Sequence, residues 1–135
     1  MTVLAMGAHL AAVRLSGNLV HAACATDDPV QVAATLAEML DGPVIRDRQA
    51  PVDVTYFALV GADAGAVGVR SRHSVYLGHG VYLGVPAPRH TGPPGAYWAL
   101  PPRYEGDLCR PQAVEDLVRA GAQRLDRAES AEVGQ

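Results

Sequence analysis

The chain has 135 residues, a formal net charge of −3 and 49% apolar residues, enough for one domain to bury a core without metal or disulfide staples. Aromatic residues are few (five Tyr, one Trp, one Phe), so that core must be built mostly from Val, Leu and Ala. All 11 basic residues are arginine, scattered apart from a loose group at Arg46, Arg48, Arg70 and Arg72; this weighs against a dedicated DNA or RNA binder, which needs a concentrated basic patch.

In chain order, the apolar stretch 1–12 lacks the basic segment that opens a signal peptide, and no apolar run approaches the ~20 residues that cross a membrane. A cytoplasmic protein with no membrane partner is expected. The absence of lysine, with abundant Ala, Gly and Pro, points to a GC-rich coding genome of bacterial type. Residues 9–15, "HLAAVRL", predict a first strand, and "SGN" begins a turn or caps a short helix over "LVHAACA". Cys24 falls in that Ala-rich run as a small core residue, whereas Cys109 follows a polar loop and is expected to be the more accessible thiol. Two isolated cysteines with no C-x-x-C pattern read as reduced thiols.

"DDPVQVAATLAEMLDG" gives the firmest local signal. Asp28 suits the N-cap, Pro29 the first helical position, and Gln31 completes a capping-box arrangement three residues on. Val32, Leu36, Met39 and Leu40 share one face, and Gly42 suits the left-handed position at the end. A helix over 29–41 follows, and a helix start accounts for Asp28 without a paired-carboxylate site. "PVIRDR" and "VDVTYFALV" predict successive strands. "GADAGAVG" reads as a small-residue loop, and a Pro/Gly-rich loop "PAPRHTGPPG" leads to a short strand "AYWAL". Pro111 then opens a helix over 111–127. Val114, Leu117, Val118, Gly121 and Leu125 form its stripe, and Glu115 is placed to pair with Arg119. The expected architecture is α+β: a mostly antiparallel sheet of about five strands with two main helices (29–41 and 111–127), one domain over 1–127 and a flexible tail over 128–135.

The stretch "SVYLGHGVYLGVP" (74–86) repeats Val-Tyr-Leu-Gly around His79-Gly80. A nucleotide loop is disfavoured: the glycines do not lead into a helix, and the chain has no P-loop lysine. A hairpin explains the repeat, with Leu77 opposite Val81, Tyr76 opposite Tyr82 and Val75 opposite Leu83.

The run "GHGVYLGVPAPRHTGPPGAYWAL" resembles the end of the prim-pol domain of bacterial and phage-plasmid bifunctional DNA primase–polymerases. Gly80, Tyr82, Pro86, Pro88, His90, Gly92, Tyr97 and Trp98 match in order, and "VTYFALV" resembles the family strand with an aromatic pair. The resemblance covers residues 43–100. It implies an early strand with an Asp-x-Asp metal pair, yet "HLAAVRL" has none. It implies a His where Val54 or Thr55 stands, and an Asp where the chain has Ser74-Val75-Tyr76-Leu77. Two-metal chemistry needs such carboxylates. The resemblance thus implies a shortened, catalytically degenerate relative with no polymerase activity.

Function is therefore expected to be that of a non-catalytic interaction or ligand-binding module, with no metal and no cofactor. Arg89, His90, Tyr97, Trp98 and Tyr82 are its candidate binding residues. The competing classes are a small enzyme with an acid–base site from His79, His90, Tyr82 and Asp53, and a weak single-stranded nucleic-acid binder using Arg70, Arg72 and Arg89. Along the closing strand Tyr97 and Trp98 alternate, one expected inside and one outside. A protein partner or self-association through the hairpin edge is the expected mode of interaction.

Overall fold

The computed structural model describes residues 2–5, 10–50, 53–61, 73–78, 82–104 and 106–133. Its elements are β1 (Thr2–Ala5), β2 (Leu10–Ser16), α1 (Gly17–Cys24), α2 (Pro29–Leu40), β3 (Val44–Ala50), β4 (Asp53–Gly61), β5 (Ser74–Leu77), β6 (Tyr82–Val85), β7 (Tyr97–Leu100) and α3 (Pro111–Val133). Five strands form one sheet in the order β5-β2-β4-β3-β7, with every pairing antiparallel. β1 and β6 form a separate antiparallel pair. The fold is α+β, as the pattern of strands between two helices implies.

Alternation along the strands divides the core between two faces. Ala11, Val13 and Leu15 of β2 and Tyr56, Ala58 and Val60 of β4 face the helices, against Leu19, Val20, Leu36, Leu40 and Leu117. Ala12, Leu59, Ile45 and Trp98 face the other way and pack with Leu83 of β6. Burial on both sides explains why "YFALV" is apolar throughout rather than alternating.

The repeated Val-Tyr-Leu-Gly segments do not pair with each other. β5 lies against β2, with Tyr76 opposite Val13 and Val75 opposite Arg14, while β6 lies against β1, with Tyr82 opposite Ala5 and Leu83 opposite Leu4. The expected hairpin is therefore replaced by two longer-range pairings that send the two copies into different sheets. The physical reason is burial and backbone pairing: β5 takes the edge of the five-stranded sheet beside β2, while β6, paired with β1, sends Leu83 into the second core cluster.

Helix ends follow their local chemistry, with corrections. Ser16 Oγ accepts the Leu19 N–H at 3.2 Å and caps α1. The Asp28 carboxylate accepts the Gln31 N–H at 3.2 Å and caps α2. The Gln31 side chain does not reach back to Asp28 itself; Thr26 Oγ1 accepts the Asp28 N–H at 3.2 Å and donates to Gln31 Oε1 at 3.0 Å. At the other end Asp41, not Gly42, takes the left-handed conformation, with φ of 52°. Arg103 holds it there, donating to Asp41 Oδ1 at 2.7 Å and Asp41 O at 3.0 Å. Gly42 is needed for room, since a Cβ there would lie 2.6 Å from Cys109 Cα. α3 runs to Val133, past the expected Arg127, and carries the Glu115–Arg119 pair at 2.9 Å. At Gly121 a Cβ would meet Leu19 O at 2.5 Å, so this glycine lets α3 lie close along α1.

The two thiols are the reverse of the expectation. Cys109 is 2% exposed; its N–H donates to Leu59 O at 2.7 Å and its thiol to Pro43 O at 3.3 Å. These bonds draw the loop before α3 under β4, and burial pushes the thiol up to about 12. Cys24 is the half-buried one, also raised by burial, with Arg124 opposing. Among the described residues, no helix is long and apolar enough to cross a membrane.

Candidate functional site

β3 lies between β4 and β7, and its register places Arg46 opposite Tyr56 on one side and Tyr97 on the other. This cross-strand row, Tyr56–Arg46–Tyr97, lies on the helical face of the sheet. Arg46 Nη1 donates to the Tyr97 hydroxyl at 3.2 Å, and its guanidinium carbon lies 5.8 Å from the centre of the Tyr97 ring. The Tyr56 hydroxyl, across the strand pair on the other side, also favours the charged guanidinium. On the far side of Tyr56, His21 Nε2 sits 3.0 Å from the same hydroxyl, the two rings meeting edge-to-face at 86°.

The proton order in this chain follows from what each group can do. Arginine only donates, so toward Arg46 a phenol presents its oxygen. Between Tyr56 and His21 the direction depends on which imidazole nitrogen carries the proton. Both ionisations are pushed toward the neutral forms. Burial raises Tyr56, with Arg46 opposing. Burial likewise lowers His21, with Asp27 opposing and Arg46 adding to the effect. At Tyr97 the oxygen accepts from Arg46 and the hydroxyl keeps its own proton to give.

Arg46 has no charge partner: among the described residues, no carboxylate pairs with it. Its Nε is shielded from solvent and, among the described residues, lacks an acceptor. Burial of a cation among neutral groups costs free energy that phenolic acceptors offset only in part. The two hydroxyls nevertheless outweigh burial and hold Arg46 above its ordinary value.

A cavity of about 250 Å³ opens onto this row. Arg46, Tyr56, Tyr97 and Thr91 provide its polar wall, and Pro29, Val30, Val32, Ala33 and Ala99 its apolar wall. Two other cavities also contain an arginine, but with carboxylates at hand. Arg103 is held by Asp41 at 2.7 Å and Asp107 at 2.9 Å, and Arg110 shares its cavity with Asp116. The Arg103 contact holds the Asp107 carboxyl below its ordinary range.

The residues singled out from sequence are dispersed. Trp98 is 4% exposed, and its indole N–H donates to Pro86 O at 3.1 Å. Tyr97 is buried on the opposite face, so neither of the pair faces out. His90 orders the loop before β7: its N–H donates to Ala87 O at 2.9 Å, and its carbonyl accepts from Trp98 N at 2.9 Å. Its Nε2 lies 2.7 Å from Pro94 O; since a carbonyl only accepts, that nitrogen carries the proton and is no free base. Arg89 is exposed. Asp53 opens β4 and Tyr82 opens β6, in different sheets. His79, Arg70 and Arg72 lie outside the described residues. Among the described residues, no three His, Cys, Asp or Glu side chains gather as metal ligands.

Of the cavity's polar residues, sequence reasoning selected only Tyr97. Arg46 enters the sequence reading only as one of a loose group with Arg48, Arg70 and Arg72, although its two-residue spacing from Val44 is a signal that it shares the buried face of β3. Tyr56 shows the same signal between Val54 and Ala58. No protein-family model, curated protein or solved structure matches the chain.

Proposed function

We propose that this chain is a non-catalytic ligand-binding module of the cytoplasm, with the cavity beside Arg46 as its binding site. One observation carries the reading. The cavity joins a cation and two phenols to an apolar wall and, among the described residues, no carboxylate, imidazole or thiol lines it. Such a wall can orient and hold a small molecule. Burial raises Tyr56 further toward its neutral phenol, and no imidazole or carboxylate among the described lining residues stands ready to take a proton near neutral pH. A fragment titration of ¹⁵N-labelled protein tests this: bound fragments should move the amides of Val32, Ala33 and Ala99, and a library that leaves all three unmoved would overturn it.

We also propose kinship with the prim-pol domain, without its chemistry. The support is the adjacency of β5, β2 and β4, the three strands to which the resemblance assigns metal-binding positions. Those positions hold no carboxylate here: β2 reads Leu10 to Ser16 as "LAAVRLS", β4 has Val54 and Thr55, and β5 has Val75 and Tyr76. Purified protein should therefore incorporate no nucleotide on a primed template with Mg²⁺ or Mn²⁺, and incorporation would contradict the reading.

A further inference from the structure

We infer that the cavity beside Arg46 takes a small monocarboxylate with an apolar body, an aryl or branched-alkyl acid. Its carboxylate would meet Arg46 and the Tyr97 hydroxyl, and its body would lie along Val30, Val32 and Ala33. This rests on the reading of the cavity as a ligand site and adds the ligand's chemistry.

Charge is the first argument. Arg46 has only neutral partners, and the Tyr97 hydroxyl, having accepted from Arg46, retains a proton to donate. Both groups therefore present donors to the cavity, and the matching ligand is an acceptor, best an anion. His21 reinforces the arrangement from outside. Its Nε2, 3.0 Å from the Tyr56 hydroxyl, holds the Tyr56 ring in place beside Arg46.

The number of charges is the second argument. A dianion such as phosphate calls for more than one cation, and among the described residues Arg46 is the one cation lining this wall. The start of α2 offers an anion little. Pro29 has no N–H, the Gln31 N–H is taken by the Asp28 carboxylate, and the Val32 N–H by Asp28 O at 2.8 Å, which leaves the Val30 N–H alone of the first four. Asp27 and Asp28 also add negative charge on this side. A single negative charge is what remains compatible.

Size and lining decide the body. About 250 Å³ lies below the range of roughly 300–1,000 Å³ typical of drug-sized ligands, enough for one ring or a branched chain and too little for a nucleotide. Val32 is fully buried behind the wall, whereas Val30 is 77% exposed at its rim.

Calorimetric titration with benzoate and 3-methylbutanoate, against benzamide and inorganic phosphate, tests the inference. At least one acid should bind with 1:1 stoichiometry and move the Val32 and Ala33 amides. Benzamide should bind about tenfold more weakly than benzoate, as should benzoate to Arg46→Gln, the loss expected of a removed charge-assisted contact. Tyr97→Phe should weaken benzoate several-fold. Because Arg46→Gln can also unsettle the fold, the rim gives an independent series: Val30→Glu and Val30→Lys both lose the valine contact, and benzoate should bind several-fold more weakly to Val30→Glu than to Val30→Lys, with benzamide differing little between the two. Benzamide binding as tightly as benzoate at the same amides would overturn the carboxylate while leaving the ligand site standing. Phosphate displacing benzoate at equal concentration would overturn the single charge. If no compound moves the Val32 and Ala33 amides, the site itself fails.

Discussion

The two faces of the five-stranded sheet are closed by different means. On the face away from the helices, Trp98, Ile45, Leu59 and Ala12 meet Leu83 of β6, and the one polar atom of Trp98 is matched by Pro86 O. On the helical face near β7, the same sheet carries Tyr56, Arg46 and Tyr97 beside a cavity, with an arginine nitrogen left without an acceptor among the described residues. Tyr97 and Trp98 are consecutive in the chain and serve opposite faces. Among the described residues the first face leaves no buried side-chain polar atom unmatched, whereas the second carries the unneutralised charge beside which we propose that a ligand binds.

Substitutions can break this contrast. The largest effect is expected on the dry face: Trp98→Ala removes a buried indole and should destabilise by about 3–5 kcal/mol in chemical denaturation. Tyr56→Phe comes next. It removes the hydroxyl that His21 meets at 3.0 Å and that favours the Arg46 charge, for an expected loss of about 1–3 kcal/mol by the same measurement. Tyr97→Phe should cost only about 0.5–1.5 kcal/mol, because the Arg46 donor it releases borders an open cavity. If Tyr97→Phe were as damaging as Trp98→Ala, the two faces would not differ as described.

A smaller effect lies in pH. Burial holds His21 below the ordinary histidine value of 6.5, against the pull of Asp27 and with the help of Arg46. The unfolded chain then binds that proton more readily than the folded one. Stability from this group is therefore fully present above pH 6.5 and is lost as pH falls through the folded value. Thermal unfolding from about pH 7.5 to about pH 5.5 should show a falling Tm, with a shallower slope in His21→Gln; an unchanged slope would remove His21 from the row.

Much of the fold was legible because its signals are local. Asp28-Pro29 marks the start of α2, Ser16 suits a cap, and the Val114-Leu117-Val118-Gly121 stripe marks the buried side of α3. The hairpin was misread for the opposite reason. Two Val-Tyr-Leu-Gly copies around a glycine turn satisfy a hairpin locally, and only β1 and β2, far upstream, offer better burial. Gly42 was misassigned because local pattern cannot show the backbone of Cys109 arriving from a distant loop, or Arg103 holding Asp41. The site was harder still. Arg46 gains its meaning from Tyr97, 51 residues away, and from a register that no stretch of sequence states.

Benzoate affinity measured side by side in Tyr97→Phe and Trp98→Phe tests the contrast most directly. Tyr97→Phe should bind several-fold more weakly with a smaller drop in Tm, whereas Trp98→Phe should lose more Tm and keep the wild-type affinity. Equal losses of affinity in the two variants would contradict the division of the sheet into a stabilising face and a binding face.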